Sequence, residues 1–252
     1  MENLPHLRSM LGATAKLWAG EDGVRVEPGR YVALSGAPSV DYNVIVCHGA
    51  GENLIAKSVE EIKARGVPAL IMVAGQATGE VQELVDAGWV CIGQTGFMGR
   101  ELDPATDVPA PVPGIRQLEA SELDGARAIM ADTFGLTPEL ALVALPPDAT
   151  GGEGQSVWGI FNEDGELACT TIGARAQDTV TYWGIATPPE ARRQGHARRM
   201  MDYVMAYDAQ LGARYVVAHT TPYGEALTIG MGFVLLERWQ MWSRPRWVLG
   251  RA

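Results

Sequence analysis

The run Arg192-Arg193-Gln194-Gly195-His196-Ala197 combines residue types and spacing that could do chemistry. It follows an apolar stretch, Val180–Ala186. It precedes Ala197, Met200, Met201, Val204, Met205 and Leu211, which recur at helical spacing, so the spacing predicts a strand, a turn and a helix from Gly195 to Leu211. The first turn of a helix has four backbone N–H groups without intrahelical partners, and the macrodipole places partial positive charge there. A glycine at that point lets the backbone approach a phosphate, and a small residue two positions on keeps side chains clear. Neighbouring arginines add charge. The chemistry on offer is capture of a pyrophosphate-like anion. A glycine near a helix start also serves simple turn geometry, so the surrounding elements must decide between the two.

Those elements alternate strand and helix. Leu4, Leu7, Met10, Leu11 and Trp18 predict an amphipathic first helix over 4–18. Short β-branched runs predict strands at 30–34, 42–47, 69–73 and 89–92, with helices at 55–65 and 78–87 between them. Residues 102–114, LDPATDVPAPVPG, are proline-rich and aperiodic and read as an extended connector. We place a boundary there, giving a first unit over 1–101 and a second over 115–252. The second unit reads as strand 115–118, helix 121–134, a further helix from about 137, and a hairpin of 157–161 with 167–174 closed by Asn162-Glu163-Asp164-Gly165. Strand 180–186, the helix already described, strand 215–219, a short helix at 225–231 and strands at 233–236 and 239–242 complete it. The pattern Val73…Gly88-Trp89 recurs as Val217…Gly232-Phe233 at the same separation, which suggests that the two units are similar.

Composition narrows the function. The chain has 252 residues and a formal net charge of −10, a surface that repels phosphate backbones and makes nucleic acid an unexpected partner. No apolar stretch reaches the roughly 20 residues of a membrane span, and the N-terminus has no secretory signal pattern. Cys47, Cys91 and Cys169 are widely spaced, which fits reduced thiols in a cytoplasmic protein rather than a metal site.

With these elements around it, the second unit resembles the GNAT superfamily of N-acetyltransferases. The likeness covers Gly114 to about Trp242. It peaks at the P-x-x-R-x-x-G-x-A run from Pro189 to Ala197 and at Ala226-Leu227 followed by Gly232-Phe233. The resemblance implies an α/β (α+β) fold, a mixed and mostly antiparallel sheet flanked by helices. It also implies transfer of an acetyl group from acetyl-CoA to a primary amine by direct attack, without metal or acyl-enzyme. By the same resemblance, Ile185, Ala186 and Thr187 would hydrogen-bond the pantetheine arm, and Arg192, Arg193, Gln194, Gly195, His196, Ala197 and Arg198 would cradle the pyrophosphate. Two positions depart from the family pattern. Thr228 stands where a tyrosine often protonates the leaving thiolate, and Pro222 where an asparagine often faces the cofactor.

Tyr223, close to Thr228 in sequence, is a candidate replacement acid, the other reading being a packed or exposed tyrosine. His219, at the end of its strand, and Asp178, at the start of another, are candidate bases. For His219 a satisfied, half-buried histidine is the alternative. Trp183, Tyr182 and Trp239 could line an acceptor pocket or belong to the core. The expected partner is a small-molecule amine, with transfer to a protein N-terminus or lysine as an alternative, and the expected state is a monomer or homodimer. A non-catalytic acyl-CoA-binding or regulatory module is the competing function. The first unit lacks the phosphate pattern. Its His48-Gly49-Ala50-Gly51-Glu52 loop carries an acid and no base, so it reads as a degenerate copy that shapes the acceptor side, or as an unrelated αβ unit.

Overall fold

Asn3 caps the first helix, its side chain accepting a hydrogen bond from the His6 N–H. That helix, α1 (Leu4–Thr14), gives way at Ala15 to a single turn, α2 (Lys16–Ala19), so the expected 4–18 helix is two pieces. The computed structural model describes residues 3–51 and 53–249. The first half continues with β1 (Val24–Glu27), β2 (Arg30–Leu34), β3 (Asn43–Cys47), α3 (Leu54–Arg65), β4 (Leu70–Val73), α4 (Gln82–Asp86) and β5 (Val90–Glu101). The second half has β6 (Ile115–Gln117), α5 (Leu123–Phe134), α6 (Pro138–Ala144), β7 (Gln155–Phe161), β8 (Leu167–Ala176) and β9 (Thr179–Ala186). It ends with α7 (His196–Gln210), β10 (Tyr215–Thr220), α8 (Pro222–Gly230), β11 (Val234–Ser243) and α9 (Pro245–Val248).

The eleven strands of the described residues form one sheet in the order β1-β2-β3-β4-β11-β5-β10-β9-β8-β7-β6. It is antiparallel except at β3–β4 and β9–β10, where α3 and α7 make the crossovers that parallel pairs require. The halves exchange their last long strands. β5 lies between β10 and β11, and β11 lies between β4 and β5. The β5–β11 ladder pairs Thr95 with Trp239. The offset that takes Val73 to Val217 in the sequence repeat also takes Thr95 to Trp239, so the two strands meet about an approximate two-fold axis.

This exchange explains why two strands are longer than local sequence suggests. The strand expected at 89–92 runs on to Glu101, and those expected at 233–236 and 239–242 are one strand with a register shift between Leu235 and Glu237. Pairing with β11 holds residues of weak β-propensity such as Gly93, Gln94 and Gly96 in extended form, and β10 adds a second partner from Gly96 onward. The helix expected at 78–87 is a 3-10 stretch, Gly75–Glu80, followed by the short α4. Residues 102–114 contain no helix or strand, but they are fastened down. Gln210 Nε2 donates to the carbonyls of Pro104 and Asp107, and Arg100 pairs with Asp107.

Alternate residues of each central strand serve opposite faces. Val216, Met98 and Val180 pack with Met200, Met201, Val204 and Met205 of α7, and Ile45 and Ile71 pack with Ile55, Val59 and Ile62 of α3. On the other face Leu7 and Leu11 of α1 meet Val44, Phe97, Val217 and Trp239, while Met130 of α5 packs with Ile172 and Ala186. Completely burying side chains of this size contributes about 1.5–3 kcal/mol each, so α1 is held firmly across the middle of the sheet.

Candidate functional site

β9 and β10 begin as neighbours and then part. Their register contains Tyr215 opposite Thr179 and Val216 opposite Val180; beyond these, residues 181–186 and 217–220 are not paired with each other. β9 keeps its other neighbour, β8, through a bulge between Thr170 and Ile172 that spans Gly184 and Ile185. The result is a wedge-shaped opening whose walls are the edges of Thr181–Ala186 and Val217–Thr220. Ile185 and Ala186 lie on its β9 side. Thr187 follows directly, its carbonyl accepting from Arg192 Nε at 2.9 Å and its hydroxyl donating to Cys169 Sγ.

The loop from Thr187 leads to α7. Arg193 and Gly195 both have positive φ, 63° and 79°, and Gly195 is the N-cap. These alternating left-handed residues turn successive amides outward. Among the described residues, the six N–H groups of Arg193, Gln194, Gly195, His196, Ala197 and Arg198 donate to no backbone or side-chain acceptor. They form a concave row of donors at the positive end of a 15-residue helix. The side chains hold the row in shape. Arg199 donates to His196 Nδ1 at 3.0 Å, and the other ring nitrogen lies 3.3 Å from Gln194 Oε1. Burial, with Arg199 alongside, lowers the His196 pKa and favours the neutral ring this arrangement needs. Arg198 reaches Asp202 and the Gly230 carbonyl, each at 2.7 Å. Donor row, arginines and adjoining wedge fit a long ligand with a diphosphate joined to an extended arm, as in acyl-CoA.

The corresponding place in the first half is closed. β3 and β4 pair at four successive positions from Val44–Leu70 to Cys47–Val73, and Ala74 N–H extends the ladder to the Cys47 carbonyl. At the head of α3, Ala56 N–H donates to Glu83 Oε2 at 3.1 Å, so the chain's own carboxylate occupies the position of an anion. The glycines of the 48–51 loop serve packing. His48 and Gly49 N–H both donate to the Gly29 carbonyl, and a Cβ on Gly49 would lie 2.5 Å from Gly29 Cα. Glu52 lies outside the described residues.

The wedge borders a cavity of about 390 Å³ on the α1 face of the sheet. α5, α6, β8, β9 and β10 line it from the second half, with Met130, Phe134, Trp183 and His219; the first half supplies Trp18, Tyr31, Asp41 and Tyr42. Tyr42, Trp18, Trp183 and His219 form a chain of edge-to-face ring contacts with centroid separations of 6.0, 6.4 and 5.4 Å. Burial pushes the His219 pKa down to about 4, with Asp41 acting in the opposite sense, so the imidazole is neutral near pH 7. Burial and Asp41 push the Tyr42 phenol up to about 12. The Trp183 indole N–H is buried with no acceptor among the described residues, which leaves it available to a ligand atom.

Other candidates fall elsewhere. The side chain of Tyr223 lies outside the described residues; its backbone is in the first turn of α8. Thr228 is buried, with its hydroxyl donating to the Glu225 carbonyl at 2.9 Å, so it is committed to its own helix. Asp178 accepts from His6 at 2.9 Å at the opposite end of β9, roughly 25 Å along the strand from Ala186. Tyr182 points to the α7 face and donates to Asp208, and Trp239 is fully buried and stacked on Phe97, so of the three aromatic candidates Trp183 lines the cavity. Trp18, Asp41, Tyr42 and Phe134 carried no local sequence signal of this role.

Residues 129–228 match the profile of the "Acetyltransferase (GNAT) family". The chain carries a GNAT acetyltransferase domain. That match begins in α5 and ends in α8, so it contains the wedge, the donor row and His219. A search of curated protein sequences finds no significant match. Among solved structures, a GCN5-related N-acetyltransferase from Kribbella flavida superposes with TM-score 0.61 at 17% identity, covering 93% of this chain and 96% of that one. A tandem GNAT protein from the clavulanic acid biosynthesis pathway covers 96% and 95% at TM-score 0.52 and 13% identity. Saccharomyces cerevisiae N-myristoyltransferase with bound myristoyl-CoA covers 84% and 61% at TM-score 0.55 and 8% identity. The GNAT fold therefore extends over nearly the whole chain, and the GNAT domain supports acyl-CoA-dependent acyl transfer in general. Among the described residues no helix is long and apolar enough to cross a membrane.

Proposed function

We propose that the protein transfers the acetyl group of acetyl-CoA to a primary amine, as an N-acetyltransferase. The observation that carries this reading is the row of six N–H donors beside a wedge that opens directly onto a cavity containing a neutral imidazole. Arg192 to Arg198 hold the pyrophosphate through the backbone, and Ile185, Ala186 and Thr187 align the pantetheine arm along the β9 edge. The thioester carbonyl is then directed to the inner end of the wedge, beside Trp183 and His219.

The amine nitrogen attacks that carbonyl carbon. A C–N bond forms and the C–S bond breaks, the sulfur leaving with the bonding pair. The nitrogen's surplus proton passes to His219 Nε2 or Nδ1 and the thiolate gains a proton, giving an amide and free CoA thiol. His219 is unprotonated near pH 7 and therefore free to accept, while the same burial makes it a weaker base than an exposed imidazole. Tyr223 is the proposed donor to the thiolate, since the Thr228 hydroxyl is already engaged. The first half, a diverged copy with its own anion site closed by Glu83, contributes one wall of the acceptor cavity.

Incubation with acetyl-CoA and a panel of primary amines, followed by titration of free thiol, tests the reading. Amine-dependent thiol release is expected. Saturable CoA binding without release on any amine would establish the competing function, a binding module.

A further inference from the structure

The cavity contains more information about its ligand than an N-acetyltransferase needs. Three rings stand on its walls, with Trp18 in edge-to-face contact with both Tyr42 and Trp183, and Phe134 borders it while remaining 48% exposed. An aromatic side chain left so open at the border of a cavity offers apolar surface to something entering. A single carboxylate, Asp41, stands on the same wall as Tyr42, supplied by the 3-10 turn Val40–Tyr42 that precedes β3. At about 390 Å³ the space is at the lower end of small-ligand cavities.

We infer that the acceptor is a small hydrophobic amine bearing an aromatic ring, attracted as its ammonium form by Asp41 and seated with its ring among Trp18, Tyr42, Phe134 and Trp183 and its nitrogen towards His219. This rests on the proposed transfer reaction and names its substrate class. The alternative occupant is a long acyl chain. Asp41 accepts from Ser39 Oγ at 3.3 Å. A hydrocarbon gains nothing from that carboxylate, whereas an ammonium gains charge attraction there and a favourable approach to aromatic faces. The net charge of −10 favours cationic ligands over the whole surface as well. The first half supplies both Asp41 and two of the rings, so specificity resides largely in the half without a CoA site. In the reaction, the bound ammonium loses one proton to solvent before attack, and transfer then proceeds as written above.

Steady-state rates with 2-phenylethylamine, hexylamine and ethanolamine test this, alongside quenching of tryptophan fluorescence by each amine without donor. The ring-bearing amine is expected to quench saturably through Trp18 and Trp183, and the double variant Trp18→Phe, Trp183→Phe is expected to lose that signal. Its kcat/KM is expected to exceed those of the other two amines by about 30-fold, within the range one pocket contact set supplies. Asp41→Asn, at an exposed position, is expected to raise KM about 10-fold with kcat within about twofold. Equal kcat/KM for all three amines without quenching would overturn the inference and leave the transferase reading standing. Saturable quenching by 2-phenylethylamine with no thiol release from any amine would support the ligand class while removing the transfer reaction. Strong preference for myristoyl-CoA over acetyl-CoA, indifferent to the amine's ring, would put an acyl chain in the cavity and also overturn it.

Discussion

Gly195→Asp is expected to weaken acetyl-CoA binding about 100-fold, roughly 2.7 kcal/mol, while the protein stays folded. Gly195 caps α7 with φ 79°, and a Cβ built there meets nothing within 4 Å, so the side chain fits. Aspartate tolerates the left-handed region better than most residues, at a cost of about 1–2 kcal/mol. Its carboxylate would then sit among the N–H groups of α7's first turn, where negative charge stabilises a helix. The variant would thus reproduce what Glu83 does at the head of α3, and the helix would fold around its own anion. A pyrophosphate would lose its donors and meet a like charge. Gly195→Asn, equal in shape but neutral, should weaken binding only about 10-fold. Isothermal titration with acetyl-CoA, together with thermal melts of both variants, measures this. Equal losses for Asp and Asn would show that backbone strain, not charge, is responsible.

The second large effect is expected at His219. His219→Gln should reduce kcat by about 10²–10⁴-fold, the range for removal of a proton acceptor, with acetyl-CoA affinity unchanged. Glutamine keeps a polar side chain beside Trp183 but cannot take up a proton. The pH dependence follows from the direction of the shift. With the pKa lowered to about 4, the ring is free to accept above that value and is lost as an acceptor when the pH falls through it. Between pH 5 and 8 the wild-type rate should therefore rise with the fraction of free amine, without a limb near pH 6.5. The His219 limb should appear near pH 4 and be missing from the variant. A profile of kcat against pH for both proteins checks it. An unchanged kcat with a raised KM would reduce His219 to part of the cavity wall.

Much of the second half was legible in sequence because its signals are local. Gly195 with the arginines around it marks a strand-to-helix turn, and the Asn162–Gly165 turn marks a hairpin. Their chemistry depends on backbone conformations that a few residues dictate. The exchange of β5 and β11 was not legible, since nothing in the Gly93–Gly96 stretch says that it will pair with β11, or that β10 will join as a second partner from Gly96 onward. β1 was also missed, although Pro28-Gly29 marks the turn that joins Glu27 to Arg30. The acceptor cavity was hidden for a related reason. Trp18 reads as one more apolar position on a helix and Tyr42 as a strand residue, and only the packing of α1 and α2 across the sheet brings both to Trp183 and His219. Asp41 lies in a turn whose charge looks like ordinary surface. Local sequence exposes the donor row, whereas long-range packing builds the aromatic cavity wall.

Backbone amide hydrogen exchange with and without saturating acetyl-CoA tests the cofactor assignment most directly. The N–H groups of Arg193 to Arg198 make no hydrogen bond among the described residues, so they should exchange fast in the free protein and slow by at least about tenfold when the diphosphate accepts from them. The amides of Leu54 to Ala56 at the head of α3, where Glu83 already serves, should not change. Unaltered exchange at 193–198 under saturation, or protection at the α3 head instead, would contradict binding of acyl-CoA by the second half.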